Sequence, residues 1–326
     1  MAPISLHIVG LDCDTPVPNV YAERGTYGDI FEALLRDAAV QTPGVPEVDL
    51  EFSSFDCVRG FLPSIEDLDR VDGIIITGSG MIPHHGLVWD VADVEKKRLQ
   101  LMTMRPGSKH CLNSHKVKLP IPSYIHITNE KTELYTNHPK IHLFGSCFGH
   151  QLIAHALFST PSHPAVVRDP KGWELGVHPI TLTPAILSHF GPVLSNHSNP
   201  TQLRQQFVHA DHVVLHPIPE GFHALGSSEH CALQGLWQRG RVLTYQGHAE
   251  FDRFVNGETL KVFSKAAGWE EGYLEEKLVG VEKDDDAVWA AGVMLRFFLE
   301  SEVREEDEAG WEKVEQAEEE DVMARL

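Results

Sequence analysis

Cys147 stands in the run Gly145-Ser146-Cys147-Phe148-Gly149-His150-Gln151, after the apolar stretch Ile141–Phe144 and before the amphipathic stretch Leu152–Leu157. That order predicts a strand, a turn flanked by small residues, and a helix. A cysteine at such a corner leaves the sheet and sits at a helix N-terminus, where the positive end of the dipole favours a thiolate. Gly145 and Gly149 are expected to permit the tight turn and to leave room for a substrate above the sulfur. The pattern is a nucleophile elbow with sulfur in place of a serine hydroxyl. A free cysteine is also commonly a small buried hydrophobe, so the elbow alone does not decide. A second group does. Val242–Gln246 reads as a strand, and Gly247-His248-Ala249-Glu250 follows it directly. Residues i and i+2 of an extended segment face the same side. Glu250 can therefore orient one imidazole nitrogen of His248 while the other faces a thiol, which gives nucleophile, base and orienter together. With 20 histidines in the chain, His-x-Glu alone is a weak signal; beside the elbow it becomes a specific one.

At these residues the chain resembles the class I (triad) glutamine amidotransferases. Their Gly-x-Cys-x-Gly-x-Gln elbow is matched by Gly145, Cys147, Gly149 and Gln151, and their His-x-Glu pair by His248 and Glu250. The family usually has proline where this chain has Ala249. The resemblance covers residues 4–265 and points to small stand-alone members, the fungal amidotransferase-like proteins and the plant-type gamma-glutamyl peptidases. It implies cysteine-dependent hydrolysis of a γ-glutamyl amide through a glutamyl thioester, with no cofactor and no metal. It also implies an oxyanion hole formed by the N–H of Phe148 and one from Gly78 or Ser79, a glycine-rich loop at a neighbouring strand end suited to supplying that donor. Gln151 would face the substrate, and Glu174, in Gly172-Trp173-Glu174-Leu175-Gly176, would lie near its α-ammonium end. His209-Ala210-Asp211-His212 lacks the spacing of zinc motifs and is expected to take a structural or pocket-edge role.

The elements that must position these groups alternate. Ile4–Val9, Val48–Phe52, Gly73–Thr77, Ile141–Phe144 and Val242–Tyr245 read as strands. Asp29–Ala39, Ile65–Leu68, Asp90–Met104, Gly149–Leu157, Asp252–Ala267 and Asp286–Leu299 read as helical. This pattern predicts an α/β fold of three layers, a mostly parallel open sheet with helices on both faces. Ligands in such sheets bind beyond the carboxyl ends of the strands. Past Ala165 the chain is expected to be strand-rich, through Leu175–Leu182, Phe207–Val208, His223–Leu225 and Ala232–Trp237. Residues 1–269 are expected to form the domain, with 105–131 an irregular insertion and 270–326 an acidic helical extension.

The net charge is −20, and most of it lies from Glu270 onward. That balance argues against nucleic-acid binding, which needs a basic footprint. No apolar run is long enough for a membrane span, and Met1–Gly10 reads as a first strand rather than a signal peptide. Five scattered cysteines without a Cys-x-x-Cys favour a reducing, cytoplasmic setting over a disulfide framework. The expected partner is a small molecule, glutamine or a γ-glutamyl peptide. A separate synthase could accept released ammonia. A non-catalytic scaffold retaining the fold is the alternative of another class.

Overall fold

The computed structural model describes residues 3–80, 133–160 and 162–300. The candidate helix Asp90–Met104, the segment 105–131 and the tail Ser301–Leu326 lie outside the described residues. Twelve strands are present among the described residues: β1 (Ile4–Asp12), β2 (Val48–Asp56), β3 (Gly73–Ile76), β4 (His142–Ser146), β5 (Val166–Arg168), β6 (Glu174–Leu182), β7 (Gln202–His209), β8 (Asp211–Val213), β9 (His223–Ala224), β10 (Gly226–Ser227), β11 (Leu236–Gln238) and β12 (Val242–Tyr245). The main sheet runs β2-β1-β3-β4-β12-β11-β9. Its first five strands are parallel, and β11 and β9 complete it antiparallel.

The burial of the strands follows the two-residue period of extended chain. Ile75, Phe144 and Leu243 enter one hydrophobic core, with Phe31 and Leu35 of the helix Tyr27–Gln41. Ile74, Ile76, Leu143 and Val242 enter the opposite one, with Phe148, Leu152 and Ile153 of the elbow helix Phe148–Phe158. Helices therefore cover both faces, as the alternation requires. Register then sets the site: Ile76 pairs with Gly145 and Tyr245 with Ser146, so β3, β4 and β12 end side by side.

Core packing continues past residue 269. In the helix Ala287–Phe298, Val293, Met294, Leu295 and Phe297 are wholly buried and share a core with Leu6 and Ile8 of β1. The segment is joined to β7 through Asp286, which accepts from the backbone N–H of Arg204 at 2.7 Å and from its guanidinium. Acidic residues around this helix mask its apolar face in a composition count. The strand-rich reading past Ala165 also overlooks the helix Pro184–Leu194. Its start signal, Thr183-Pro184, is regular, but Pro192 in its last turn and a nearly continuous apolar run obscure the helical period. Among the described residues no helix is long and apolar enough to cross a membrane.

Candidate active site

The backbone of Cys147 is held from both sides of the corner. Its N–H donates to the carbonyl of Tyr245 at 2.8 Å, and its own carbonyl accepts the first helical bond from Gln151 at 3.0 Å. Meeting both demands forces φ 47° and ψ −99°, the one positive φ at a non-glycine residue among those described. Such a conformation costs about 1–3 kcal/mol and persists only where the surroundings over-determine it. The elbow glycines serve a purpose other than the one expected from sequence. A Cβ on Gly149 would lie 2.1 Å from the carbonyl oxygen of Ile76, and one on Gly145 would lie 2.5 Å from the backbone of Gly149. They let the helix approach β3 and β4; the strained turn falls on the cysteine itself.

His248 and Glu250 point together. The imidazole Nδ1 lies 2.8 Å from Glu250 Oε1, and Ser146 Oγ donates to both carboxylate oxygens, at 3.0 and 3.1 Å. His248 Nε2 is buried with no hydrogen-bond partner of regular geometry, and Cys147 is close enough to bear on its charge. Burial alone would lower the imidazole, but Glu250 and then Cys147 outweigh it, holding His248 well above its ordinary range. The ring of Phe251 stacks on the imidazole at 3.9 Å and 16°. Tyr27, the first residue of its helix, stacks in turn on Phe251 at 6.0 Å.

The loop Thr77–Gly80 leaves β3 beside this pair. A Cβ on Gly78 would stand 2.9 Å from His248 Cε1 and 3.7 Å from Cys147 Cβ, so the loop passes where only hydrogen fits. Asp14 braces it, accepting from Gly80 N at 2.8 Å and from Ser79 Oγ at 3.2 Å. Ser79 thus turns its hydroxyl to the brace. Phe148 follows Cys147 as the first residue of the elbow helix.

Gln151 is buried and internally bonded. Its Nε2 donates to the Asp211 carbonyl at 3.0 Å and to Gln246 Oε1 at 3.1 Å, and Gln246 Nε2 lies 3.6 Å from Cys147 Sγ. Glu174 is buried in a separate network. It lies 2.8 Å from His209 Nε2 and accepts from Ser228 Oγ at 2.6 Å and Gln234 Nε2 at 2.8 Å. Burial by itself would raise this carboxyl; the hydrogen bonds, His209 foremost, bring it down to about 2. Asp211 is the opposite case. Both carboxylate oxygens are buried without a hydrogen bond, Arg168 Nη1 stands 3.8 Å away, and burial raises the group to about 6. The two histidines of this segment take different partners, His209 going to Glu174 and His212 to Asp169 at 3.0 Å. Among the described residues no group of three His, Cys, Asp or Glu side chains is arranged to hold a metal ion.

Ser146, Gln246, Tyr27 and Phe251 escape a reading by motif, and Asp211 is marked only as part of the run His209–His212. Gln246 had a usable signal, since it precedes His248 by two and so follows the same i, i+2 rule. Ser146 lies inside the elbow run. Tyr27 reaches the site from a distant segment through Phe251 and carries no local mark.

No family model matches the chain. A "putative glutamine amidotransferase" of Saccharomyces cerevisiae is 32% identical over 254 residues, covering 77% of this chain and 82% of that protein. A "putative glutamine amidotransferase-like protein" of Schizosaccharomyces pombe is 26% identical over 296 residues, covering 90% and 99%. Gamma-glutamyl peptidase 4 of Arabidopsis thaliana is 24% identical over 266 residues, covering 80% and 82%. Among solved structures, a glutamine amidotransferase of Thermotoga maritima superposes with a TM-score of 0.55 at 15% identity, over 90% of this chain and 98% of that one. By its mostly parallel sheet and its similarity to the yeast protein over most of both lengths, the chain belongs to the glutamine amidotransferase-like family.

Proposed function

We propose that this protein is a cysteine hydrolase of γ-glutamyl amides, with Cys147 as nucleophile, His248 as general base and acid, and Glu250 as its orienter. The observation that carries this reading is the convergence, beyond the carboxyl ends of the adjacent strands β4 and β12, of a strained cysteine and an imidazole held by a carboxylate. His248 takes the thiol proton and the sulfur attacks the carbonyl carbon. The tetrahedral oxyanion is held by the N–H of Phe148 and one from Gly78–Ser79. The C–N bond breaks as the imidazolium protonates the leaving nitrogen, giving a glutamyl thioester. Water, deprotonated by His248, cleaves the C–S bond and frees glutamate; the proton returns to sulfur. Ser146, bonded to both oxygens of Glu250, keeps the carboxylate aimed. For the substrate's α-ammonium, Asp211 is a better counter-charge than Glu174, because its carboxylate is unsatisfied whereas that of Glu174 has three partners.

The leaving group is ammonia if the substrate is glutamine, and an amine if it is a γ-glutamyl peptide, the reading supported by the similarity to gamma-glutamyl peptidase 4. In the first case a separate synthase would receive the ammonia. The four cysteines among the described residues are free and buried, which fits a reducing, cytoplasmic setting. The test is to incubate the protein with glutamine and with glutathione, measuring ammonia and glutamate separately. Glutamate release that Cys147→Ala abolishes supports the reading. Release from neither substrate favours a scaffold that keeps the fold for binding.

A further inference from the structure

Cys147 sulfur has a neighbour that the proposed chemistry leaves unused. Gln246 is wholly buried, and its side-chain nitrogen stands 3.6 Å from Cys147 Sγ, within the range of an N–H···S bond. A carboxamide can present either a donor or an acceptor, so its value to a thiolate depends on which end faces the sulfur. Here the direction is set by an atom that has no choice. The backbone carbonyl of Asp211 can only accept. It takes a hydrogen from Gln151 Nε2 at 3.0 Å and lies 2.9 Å from His209 Nδ1. That fixes the NH2 end of Gln151, whose second N–H then points to Gln246 Oε1 at 3.1 Å. With its oxygen so engaged, Gln246 turns its own NH2 toward the sulfur. Its backbone N–H is tied to the carbonyl of Gln234 at 2.9 Å, which holds the residue in place.

We propose that Gln246 is a further catalytic residue, whose carboxamide N–H stabilises the Cys147 thiolate, with Gln151 as the positioning residue that keeps the donor facing the sulfur. This rests on the reading of Cys147 as the nucleophile and adds a group to it. A thiolate accepts a hydrogen bond far more strongly than a thiol does, so the bond favours the ionised form and is present before substrate arrives. It also releases readily. As the thioester forms, the sulfur loses its charge and the bond weakens; it strengthens again when glutamate leaves. The buried setting of Gln246 raises the value of such a donor, because a hydrogen bond is stronger where the local dielectric is low.

The test is the rate at which iodoacetamide alkylates Cys147 in the full-length protein, followed by mass spectrometry. Gln246→Leu keeps the volume and removes the donor. At neutral pH its alkylation should slow by about tenfold, the size expected for losing a hydrogen bond to a charged atom. At strongly alkaline pH, where the thiol ionises unaided, variant and wild type should converge. Gln151→Leu, which frees the Gln246 amide to flip, should fall between the two. If Gln246→Leu does not fold, Gln246→Asn, which withdraws the same amide from the sulfur, replaces it in the same comparison. Wild-type alkylation at neutral pH in a folded Gln246 variant would overturn the proposal, as would slowing by the same factor at every pH. Alkylation needs no γ-glutamyl turnover. A protein with a fast, Gln246-dependent Cys147 that releases glutamate from neither substrate would leave the thiolate donor standing and remove the proposed reaction.

Discussion

At the scale of single residues, the site is defined by side chains that have no room to differ. Gly78 passes so close to His248 that Gly78→Ala must push the imidazole aside. Displacing reacting groups by about 1 Å can cost on the order of 100-fold in rate. Gly78→Ala should therefore lower kcat by about that factor while the melting temperature changes little; unchanged kcat would show that the loop yields freely. Cys147 should also be the thiol that alkylates first. The contact with Cys13, and then burial, push the Cys57 thiol up beyond the usual range, and burial raises Cys231 to about 11. Mass-spectrometric mapping after brief iodoacetamide treatment at neutral pH should find Cys147 modified well ahead of Cys13, Cys57 and Cys231. Equal labelling would contradict the elbow assignment.

At the scale of elements, the antiparallel part of the chain is fastened by a buried ionic network. Glu174 at the start of β6 pairs across to His209 at the end of β7, and it also takes Ser228 and Gln234. Its folded-state value of about 2 lies below the ordinary carboxyl value of 4.5. The stabilisation is thus complete above about pH 4.5 and is lost as pH falls toward 2. Glu174→Gln should destabilise the protein by about 3 kcal/mol at neutral pH, since it leaves His209 beside a lost partner. The difference from wild type should shrink on acidification through that window, which chemical denaturation at several pH values can follow. A constant difference would mean that the carboxylate is held by shape rather than by charge. Asp211 should behave in the reverse sense. Its value of about 6 lies above the unfolded one, so its charge opposes folding as pH rises past that range. Asp211→Asn should therefore raise the melting temperature at neutral pH and raise KM for a γ-glutamyl substrate more than it lowers kcat. An unchanged KM would dismiss the α-ammonium role.

At the scale of the molecule, the acidic C-terminal part divides at Glu300. The helix Ala287–Phe298 is part of the core, whereas the tail begins where Glu300 engages His189 and accepts from the backbone N–H of Gly240 at 2.6 Å. Gly240 precedes β12, and the site lies past the far end of that strand, roughly 16 Å of extended chain away. Deleting Ser301–Leu326 should therefore leave kcat on a small γ-glutamyl substrate unchanged. Deleting from Glu270 should abolish the cooperative thermal transition, because it removes several wholly buried side chains, each contributing on the order of 2–5 kcal/mol. A truncation at Ser301 that stays folded by circular dichroism but loses turnover would show that the tail reaches the site.

The sequence by itself determined the features that are local. The elbow run, the His-x-Glu pair and the strand–helix alternation each lie within a few residues, where backbone period alone decides which side chains share a face. The parallel sheet, the corner at Cys147 and the shared side of His248 and Glu250 were legible for that reason, whereas the approach of Cys147 to His248 depends on the pairing of Ser146 with Tyr245. Tertiary structure alone decided what depends on register and on contacts between distant segments. The pairing of Ile76 with Gly145 brings Gly78 against His248, and no spacing along the chain announces it. Partners separate Glu174 from Asp211: both are buried carboxylates in the same region, yet one has its oxygens satisfied and the other does not. Composition, finally, could not show that a helix set in an acidic stretch is core. Charge is counted along the chain, but burial depends on what packs against the helix, and here residues 290–295 are all buried.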